Sequence, residues 1–220
     1  MTLKGVIFDL DGVLVDTVPA HFAAWARLFK EEGYPFDEGV YHDKVDGRRR
    51  QDGVAAVMIG APADRIDAAA ERKDGYFLEL IEKGQFKVFE GSVDFVNTSC
   101  RAGLRLATAS SSRNARYILD KVGLLDRFDA VVGGDDVEHG KPDPSIFLTA
   151  AKRIALTPRH CVVVEDAISG VTAAKTGGFF CLGIDRHGHP ARLAGADLIV
   201  GDLAELDLEQ LRTAFEAKDG

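Results

Sequence analysis

The chain has 220 residues, of which 46% are hydrophobic and 28% are charged, and its formal net charge is −8. This composition predicts a globular protein with one full domain, or one domain and a small insert, and the acidic balance argues against sequence-independent nucleic-acid binding. Because we recognise no signal peptide and no apolar run long enough to span a bilayer, we expect no membrane association. Three widely spaced cysteines, Cys100, Cys161 and Cys181, are typical of reduced thiols in a cytoplasmic protein.

Short apolar runs alternate with helical patterns along most of the chain, which predicts a parallel sheet built from strand–helix–strand units. The predicted strands cover residues 6–9, 104–109, 130–132, 161–165, 180–183 and 198–200. Several of them end in acids or serines. Since ligands bind at the carboxyl ends of strands in open α/β sheets, we expect those side chains to meet at one edge.

Residues 17–90 interrupt this alternation. Helical patterns cover residues 19–32, 53–59, 65–73 and 76–83, and no strand-like run of comparable quality lies between them. We therefore expect an α/β fold: a Rossmann-like parallel-sheet core, residues 1–16 and 91–220, with an inserted all-helical domain, residues 17–90. Hinges near residues 16–18 and 88–91 would let the insert close over the sheet edge.

An acidic motif follows the first predicted strand. Asp9, Asp11 and Asp16 lie within eight residues, in the sequence Asp-Leu-Asp-Gly-Val-Leu-Val-Asp. Acids are rare inside sheets, and a divalent cation would draw such like charges together. The pair Asp9 and Asp11 also suggests a nucleophile beside a group that moves protons. The alternative is a solvated turn after a strand, where Asp and Gly are common.

Three further segments carry candidate functional residues. Glu165 and Asp166 end an apolar strand, as ligands of a hard cation such as Mg²⁺ would, although Asp166 also suits a helix N-cap. Ser110 ends another strand, and the helix start after it would favour a phosphate, although its polar residues also suit ordinary helix caps. Lys141 precedes Pro142 and is either a catalytic cation or a surface lysine before a turn.

These four motifs, in this order, resemble the signatures of the haloacid dehalogenase superfamily, and in detail the chain is most similar to the β-phosphoglucomutase branch. The resemblance implies a helical cap over the sheet edge and Mg²⁺ as cofactor. It assigns nucleophilic attack to Asp9, proton transfer to Asp11, and phosphoryl-group binding to Ser110 and Lys141. It places the metal on Asp9, Asp11, Glu165 and Asp166. Dehalogenases of the superfamily lack the second Asp, so Asp11 points to phosphoryl transfer.

The resemblance also implies a set of substrate-binding residues, most of them in the cap. They are Thr17, His21, Trp25, Arg50, Lys73, Ser111, Ser112 and Asn114. The alternatives are a structural role for His21 and a solvated charged turn at residues 48–50. One departure stands out, because Asp46 replaces a lysine that the branch places just before Gly47.

The sequence therefore predicts a monomeric enzyme that transfers the phosphoryl group of a small phosphorylated sugar. A mutase and a phosphatase would share the core residues. The resemblance at the substrate-binding positions favours a mutase that converts β-glucose 1-phosphate into glucose 6-phosphate, whereas Asp46 favours the phosphatase. A catalytically silent sugar-phosphate-binding protein is the third reading, which the presence of Asp9, Asp11, Lys141 and Asp166 disfavours. His187 and His189 flank Gly188, and we expect a loop there rather than a second metal site.

Overall fold

A computed structural model describes residues 2–186 and 188–218 of the chain; His187 lies outside them. Six parallel strands form the central sheet in the order β5-β4-β1-β6-β7-β8. Their bounds are β1 Gly5–Phe8, β4 Arg105–Ala109, β5 Ala130–Val132, β6 Cys161–Glu165, β7 Phe180–Ile184 and β8 Leu198–Val200. All six predicted strands are present, so the α/β parallel-sheet prediction is confirmed.

Both faces of this sheet are buried, because successive side chains of a strand point to opposite faces. In β1, Val6 and Phe8 belong to one hydrophobic cluster and Ile7 belongs to the other. Helices cover both faces. On the side of Val6 lie α5 Glu90–Arg101, α6 Ala115–Lys121 and α9 Leu208–Ala217, and on the side of Ile7 lie α7 Ser145–Arg153 and α8 Ile168–Thr176.

The helical cap lies between β1 and α5 in the chain. It contains α1 Val18–Glu32, α2 Glu38–Val40, a π-helical turn Tyr41–Val45, α3 Arg50–Val57 and α4 Ala63–Glu82. The sequence pattern indicated two helices at 65–73 and 76–83, and this is wrong, because α4 is continuous. A glycine such as Gly75 inside a helix lowers its stability by about 1 kcal/mol, but the buried residues Ala70, Phe77 and Ile81 hold α4 in place on both sides of Gly75.

Two short strands join the cap to the core. β2 Val15–Asp16 pairs antiparallel with β3 Lys87–Val88, so the segment 17–90 contains one strand that the sequence analysis did not predict. Two-residue strands leave no periodicity to detect. The pair lies where the hinges were expected, and the domain boundaries at residues 16 and 91 stay a prediction. Among the described residues, no helix is both long and apolar enough to cross a membrane.

Candidate functional site

The predicted catalytic residues converge at the carboxyl edge of the three central strands. Asp9 directly follows β1, Ser110 directly follows β4, and Glu165 is the last residue of β6. Because β4 and β6 are the two neighbours of β1, these positions lie side by side. The backbone N–H of Asp9 donates to the carbonyl of Val164 at 2.9 Å, so the hydrogen bonds between β1 and β6 continue as far as Asp9.

Lys141 lies between two carboxylates at this edge. Its Nζ is 2.6 Å from Asp9 Oδ1 and 2.6 Å from Glu165 Oε1, and all three side chains are buried. Burial opposes the charge of Lys141, but Asp9 and Glu165 outweigh it and raise the pKa of the ammonium above its ordinary value. Lys141 is therefore a fixed cation beside Asp9, not a surface lysine.

Glu165 uses both of its oxygens within the protein. Oε1 accepts from Lys141, and Oε2 accepts from the backbone N–H groups of Asp166 and Ala167, each at 2.8 Å. Gly170 leaves the space for this carboxylate, since a Cβ there would lie 1.7 Å from Oε1. Glu165, expected as a metal ligand, thus also holds Lys141 and the start of the following loop in place.

The acidic cluster has the oxygen donors that a divalent cation requires. One carboxylate oxygen from each of Asp9, Glu165 and Asp166 lies within 4.8 Å of the others. Burial raises the pKa of Asp9 to about 8 and that of Asp166 well above its ordinary value, and neighbouring carboxylates add to both shifts. Lys141 alone does not neutralise the three carboxylates of Asp9, Glu165 and Asp166, so a hard cation such as Mg²⁺ fits this cluster.

Asp11 is bound on the cap side of the same edge. Its Oδ1 accepts a short hydrogen bond from Thr17 Oγ1 and lies 3.4 Å from His21 Nε2, while Oδ2 accepts from Ser110 Oγ at 3.2 Å. Burial would raise the pKa of Asp11, but His21, Thr17 and the charge of Lys73 lower it to about 2. Asp11 is therefore ionised and oriented as a proton acceptor.

The buried Lys73 and the half-buried His21 form a chain of contacts to Asp11. Lys73 Nζ lies 2.7 Å from His21 Nδ1, and an ammonium can only donate there, so Nε2 carries the ring proton that faces Asp11. Burial lowers the pKa of both groups, that of Lys73 to about 8. Phe77 stacks on the imidazole with ring centroids 3.9 Å apart, and Trp25 lies 4.8 Å from the ammonium. His21 is thus part of the site.

Several of these groups, among them Asp9, Asp11, His21 and Lys73, line a pocket between the cap and the core. Its lining residues are Asp9, Asp11, His21, Trp25, Tyr41, Val45, Asp46, Gly47, Arg48, Arg50, Lys73, Asp74, Ser111, Ser112, Arg113, Asp166 and Ala167. Both acidic and basic side chains line this pocket, so it can bind a polar, charged ligand.

A family model described as haloacid dehalogenase-like hydrolase matches residues 3–178, a range that includes all of these acids. The chain belongs to the haloacid dehalogenase-like hydrolase family.

Relatives within this family include a mutase and a phosphatase. The β-phosphoglucomutase of Bacillus subtilis is 35% identical over 221 residues, which cover 97% of this chain and 96% of that protein. A phosphorylated carbohydrates phosphatase of Thermotoga maritima is 35% identical over 181 residues, covering 80% and 82%. A crystal structure of β-phosphoglucomutase from Clostridium difficile superposes with a TM-score of 0.91 and 25% identity, covering 99% of each chain. The chain is thus an enzyme of this family.

Of the remaining predicted substrate-binding residues, Arg50, Ser111 and Ser112 line the pocket and Asn114 does not, and all four bind protein groups. Ser111 Oγ donates to the Gly47 carbonyl at 2.7 Å, and Asn114 Nδ2 donates to Asp74 at 2.8 Å. Ser112 directs its backbone N–H to Ser110 Oγ at 3.0 Å. Arg50 pairs with Glu71 and Asp135. Of these contacts, Ser111 with Gly47, Asn114 with Asp74 and Arg50 with Asp135 connect the cap to the core.

Sequence reasoning missed several functional candidates, of which Arg113 is the clearest. It lines the pocket beside the predicted Ser112 and Asn114, and its guanidinium pairs with Glu71 and Asp74 of α4. The signal was available, because Arg113 lies in the segment that the sequence predicts to bind phosphate, and a guanidinium group pairs well with phosphate oxygens.

Arg186 was also missed, and no local pattern indicates its role. It follows β7, donates to the carbonyls of Gly12 and Val13 at 3.0 and 3.2 Å, and lies over the Phe89 ring at 3.4 Å. It thereby joins the loop after Asp11 to the second hinge.

Proposed function

We propose that the protein is a Mg²⁺-dependent phosphotransferase that moves the phosphoryl group of a small phosphosugar through an aspartyl phosphate on Asp9. The observation that carries this proposal is the pairing of two carboxylates with different environments. Asp9 lies against Lys141, whereas Asp11, two residues later, is held ionised by Thr17 and His21. Two acids with separated roles suit nucleophilic attack and proton transfer.

In the first half-reaction, an Asp9 oxygen forms a bond to phosphorus and the bond from phosphorus to the sugar oxygen breaks. That leaving oxygen takes a proton from Asp11. In the second half-reaction, a hydroxyl attacks phosphorus, gives its proton to Asp11 and releases Asp9. The ionised, hydrogen-bonded Asp11 of this structure is the form that the second half-reaction requires. Lys141 balances the charge of Asp9 throughout.

Asp9, Asp166 and the backbone carbonyl of Asp11 would hold the Mg²⁺. When bound, the metal ion neutralises charge on the transferring phosphoryl group. Glu165 supports these ligands indirectly, because its Oε2 fixes the backbone N–H of Asp166 and its Oε1 orients Lys141. Ser110, which donates to Asp11 at 3.2 Å, would exchange that bond for one to a phosphoryl oxygen.

Among phosphosugar reactions, we favour that of a β-phosphoglucomutase, which interconverts β-glucose 1-phosphate and glucose 6-phosphate. The full-length similarity to the Bacillus subtilis enzyme and the position of Thr17, His21 and Lys73 around Asp11 support this choice. A mutase needs a cap that places a sugar hydroxyl, rather than water, beside Asp11.

A phosphosugar phosphatase is the second candidate. It is favoured by Asp46, a carboxylate on the pocket wall where the branch places a lysine, and by the similarity to the Thermotoga maritima phosphatase. Asp46 lies 3.1 Å from His42 and 4.0 Å from Arg192, so its charge is partly balanced within the protein.

One assay separates these candidates. The protein is incubated with Mg²⁺, β-glucose 1-phosphate and a trace of the 1,6-bisphosphate, and glucose 6-phosphate and free phosphate are followed together. Glucose 6-phosphate without free phosphate supports the mutase, and free phosphate supports the phosphatase. Asp9→Asn should abolish either activity and leave the folded state intact by circular dichroism. Full activity in that variant would refute the aspartyl-phosphate mechanism.

A further inference from the structure

Two pocket cations, Arg50 of α3 and Arg113 of the loop after β4, share one carboxylate. Glu71 Oε1 accepts from Arg50 Nη2 at 3.2 Å and from Arg113 Nη1 at 2.9 Å, and Glu71 Oε2 accepts from Arg113 Nη2 at 2.5 Å. An oxygen between two guanidinium groups is in the position that a phosphate oxygen takes when arginines bind an anion. The carboxylate of Glu71 therefore occupies an anion-binding arrangement.

The two acids of this cluster differ in how tightly they are held. The Glu71 side chain is 54% exposed, although its partner Arg50 is only 9% exposed, so the carboxylate can leave its ion pairs and be solvated by water. The Asp74 side chain is only 7% exposed, and it fixes Arg113 and Asn114 together. Arg50 Nε, a buried donor, has no hydrogen-bond partner among the described residues, so this group retains capacity for another oxygen. Glu71 can leave while Asp74 keeps Arg113 oriented.

We propose that Glu71 determines specificity by acting as a built-in counter-ion, which competes with an anionic group of the ligand for Arg50 and Arg113. The inference rests on the proposed function, because the anionic group would be the phosphate of the sugar that does not react. Binding that phosphate requires Glu71 to release both guanidinium groups. Ligands with a second phosphate therefore bind less tightly than they would if Glu71 did not pair with the two arginines.

The test measures ligand binding separately from turnover. In an Asp9→Asn background with Mg²⁺, glucose 6-phosphate and inorganic sulfate are titrated by calorimetry into the parent, Glu71→Gln and Glu79→Gln. Glu79 is the matched control, since it is 55% exposed on the same helix and pairs with Arg27 away from the pocket lining. We expect Glu71→Gln to bind both ligands about three- to tenfold more tightly, and Glu79→Gln to match the parent.

A double mutant shows whether the gain acts through the arginines. In an Arg113→Gln background, Glu71→Gln should raise ligand affinity by less than half as much as it does alone, because one of the two arginines for which Glu71 and the ligand compete is missing. Unchanged affinity in Glu71→Gln would overturn the proposal, and so would weaker binding, which would make Glu71 a latch that holds the cap closed. Tighter sulfate binding in a protein that does not bind glucose 6-phosphate would support the role of Glu71 and refute the proposed sugar.

Discussion

Replacing Gly170 with Ala tests whether the buried Glu165 carboxylate organises the active site. Gly170 lies in α8, where by helix propensity alone Ala should stabilise the folded state by about 1 kcal/mol. However, a Cβ at this position would lie 1.7 Å from Glu165 Oε1 and 1.9 Å from its Cδ. Because Glu165 is fully buried, its carboxylate must move away rather than rotate into solvent.

The size of the effect follows from the contacts that Glu165 would lose. Moving it breaks the 2.6 Å ion pair with Lys141 and the two 2.8 Å hydrogen bonds from Asp166 and Ala167. Breaking a buried ion pair costs about 3–5 kcal/mol, and the helix gain offsets about 1 kcal/mol of that. We expect Tm to fall by roughly 4–16 °C, at about 2–4 °C per kcal/mol for a chain of this size. Activity should fall about a hundredfold, because Lys141 also positions Asp9.

The measurements are thermal unfolding by circular dichroism and the phosphosugar assay, with Gly75→Ala as the matched control. Gly75 lies in the middle of α4, and a Cβ there meets no atom within 4 Å. Gly75→Ala should therefore gain up to about 1 kcal/mol of stability and keep full activity. If Gly170→Ala behaved in the same way, Glu165 would not hold the position or the role assigned to it.

Two further predictions concern pH. Burial lowers the pKa of the Lys73 ammonium from 10.5 to about 8. Between pH 8 and pH 10.5 the unfolded chain therefore keeps a proton on Lys73 that the folded chain has lost, and below pH 8 the buried ammonium destabilises the folded state. At pH 7, Lys73→Met should therefore unfold in urea with a free energy about 2 kcal/mol above that of the parent, once about 1 kcal/mol is subtracted for the lost bond to His21. This difference in unfolding free energy should disappear by pH 10.5, and a difference that did not change with pH would contradict the reasoning. Burial raises the pKa of Asp9 to about 8, so it must lose a proton to bind metal, and Mg²⁺ affinity by calorimetry should rise about tenfold from pH 6 to pH 7. Asp9→Asn should abolish most of that rise, and an unchanged slope would place the titrating group elsewhere.

The sheet could be predicted from the sequence because its strands are buried on both faces and end in unusual residues. Apolar runs such as those before Asp9 and Glu165 are short and sharply bounded, and turn residues follow them. The order of the strands places Asp9, Ser110 and Glu165 at one edge, which a parallel sheet requires of residues at the carboxyl ends. These residues were found because local pattern and global position agree.

The contacts between the cap and the core could not be predicted, because they join residues with no common pattern. Glu71 and Arg113 are 42 residues apart, and nothing in the sequence around either residue indicates the other as its partner. The same is true of Arg186, which lies 174 residues after Gly12. The break expected in α4 at Gly75 failed for a related reason, since the burial of Phe77 and Ile81 outweighs local propensity.

The arrangement around Asp11 links proton transfer to the position of the cap. Thr17, His21 and Lys73 all follow β2, on the cap side of the hinge, and they are the groups that keep Asp11 ionised. Ser110, from the core, holds the other oxygen of the same carboxylate. A movement of the cap away from the sheet edge would remove Thr17 and His21 from Asp11, and burial alone raises the pKa of a carboxyl group. We infer that Asp11 is held ionised only with the cap in the position described here, so the cap residues around Asp11 also control its protonation state.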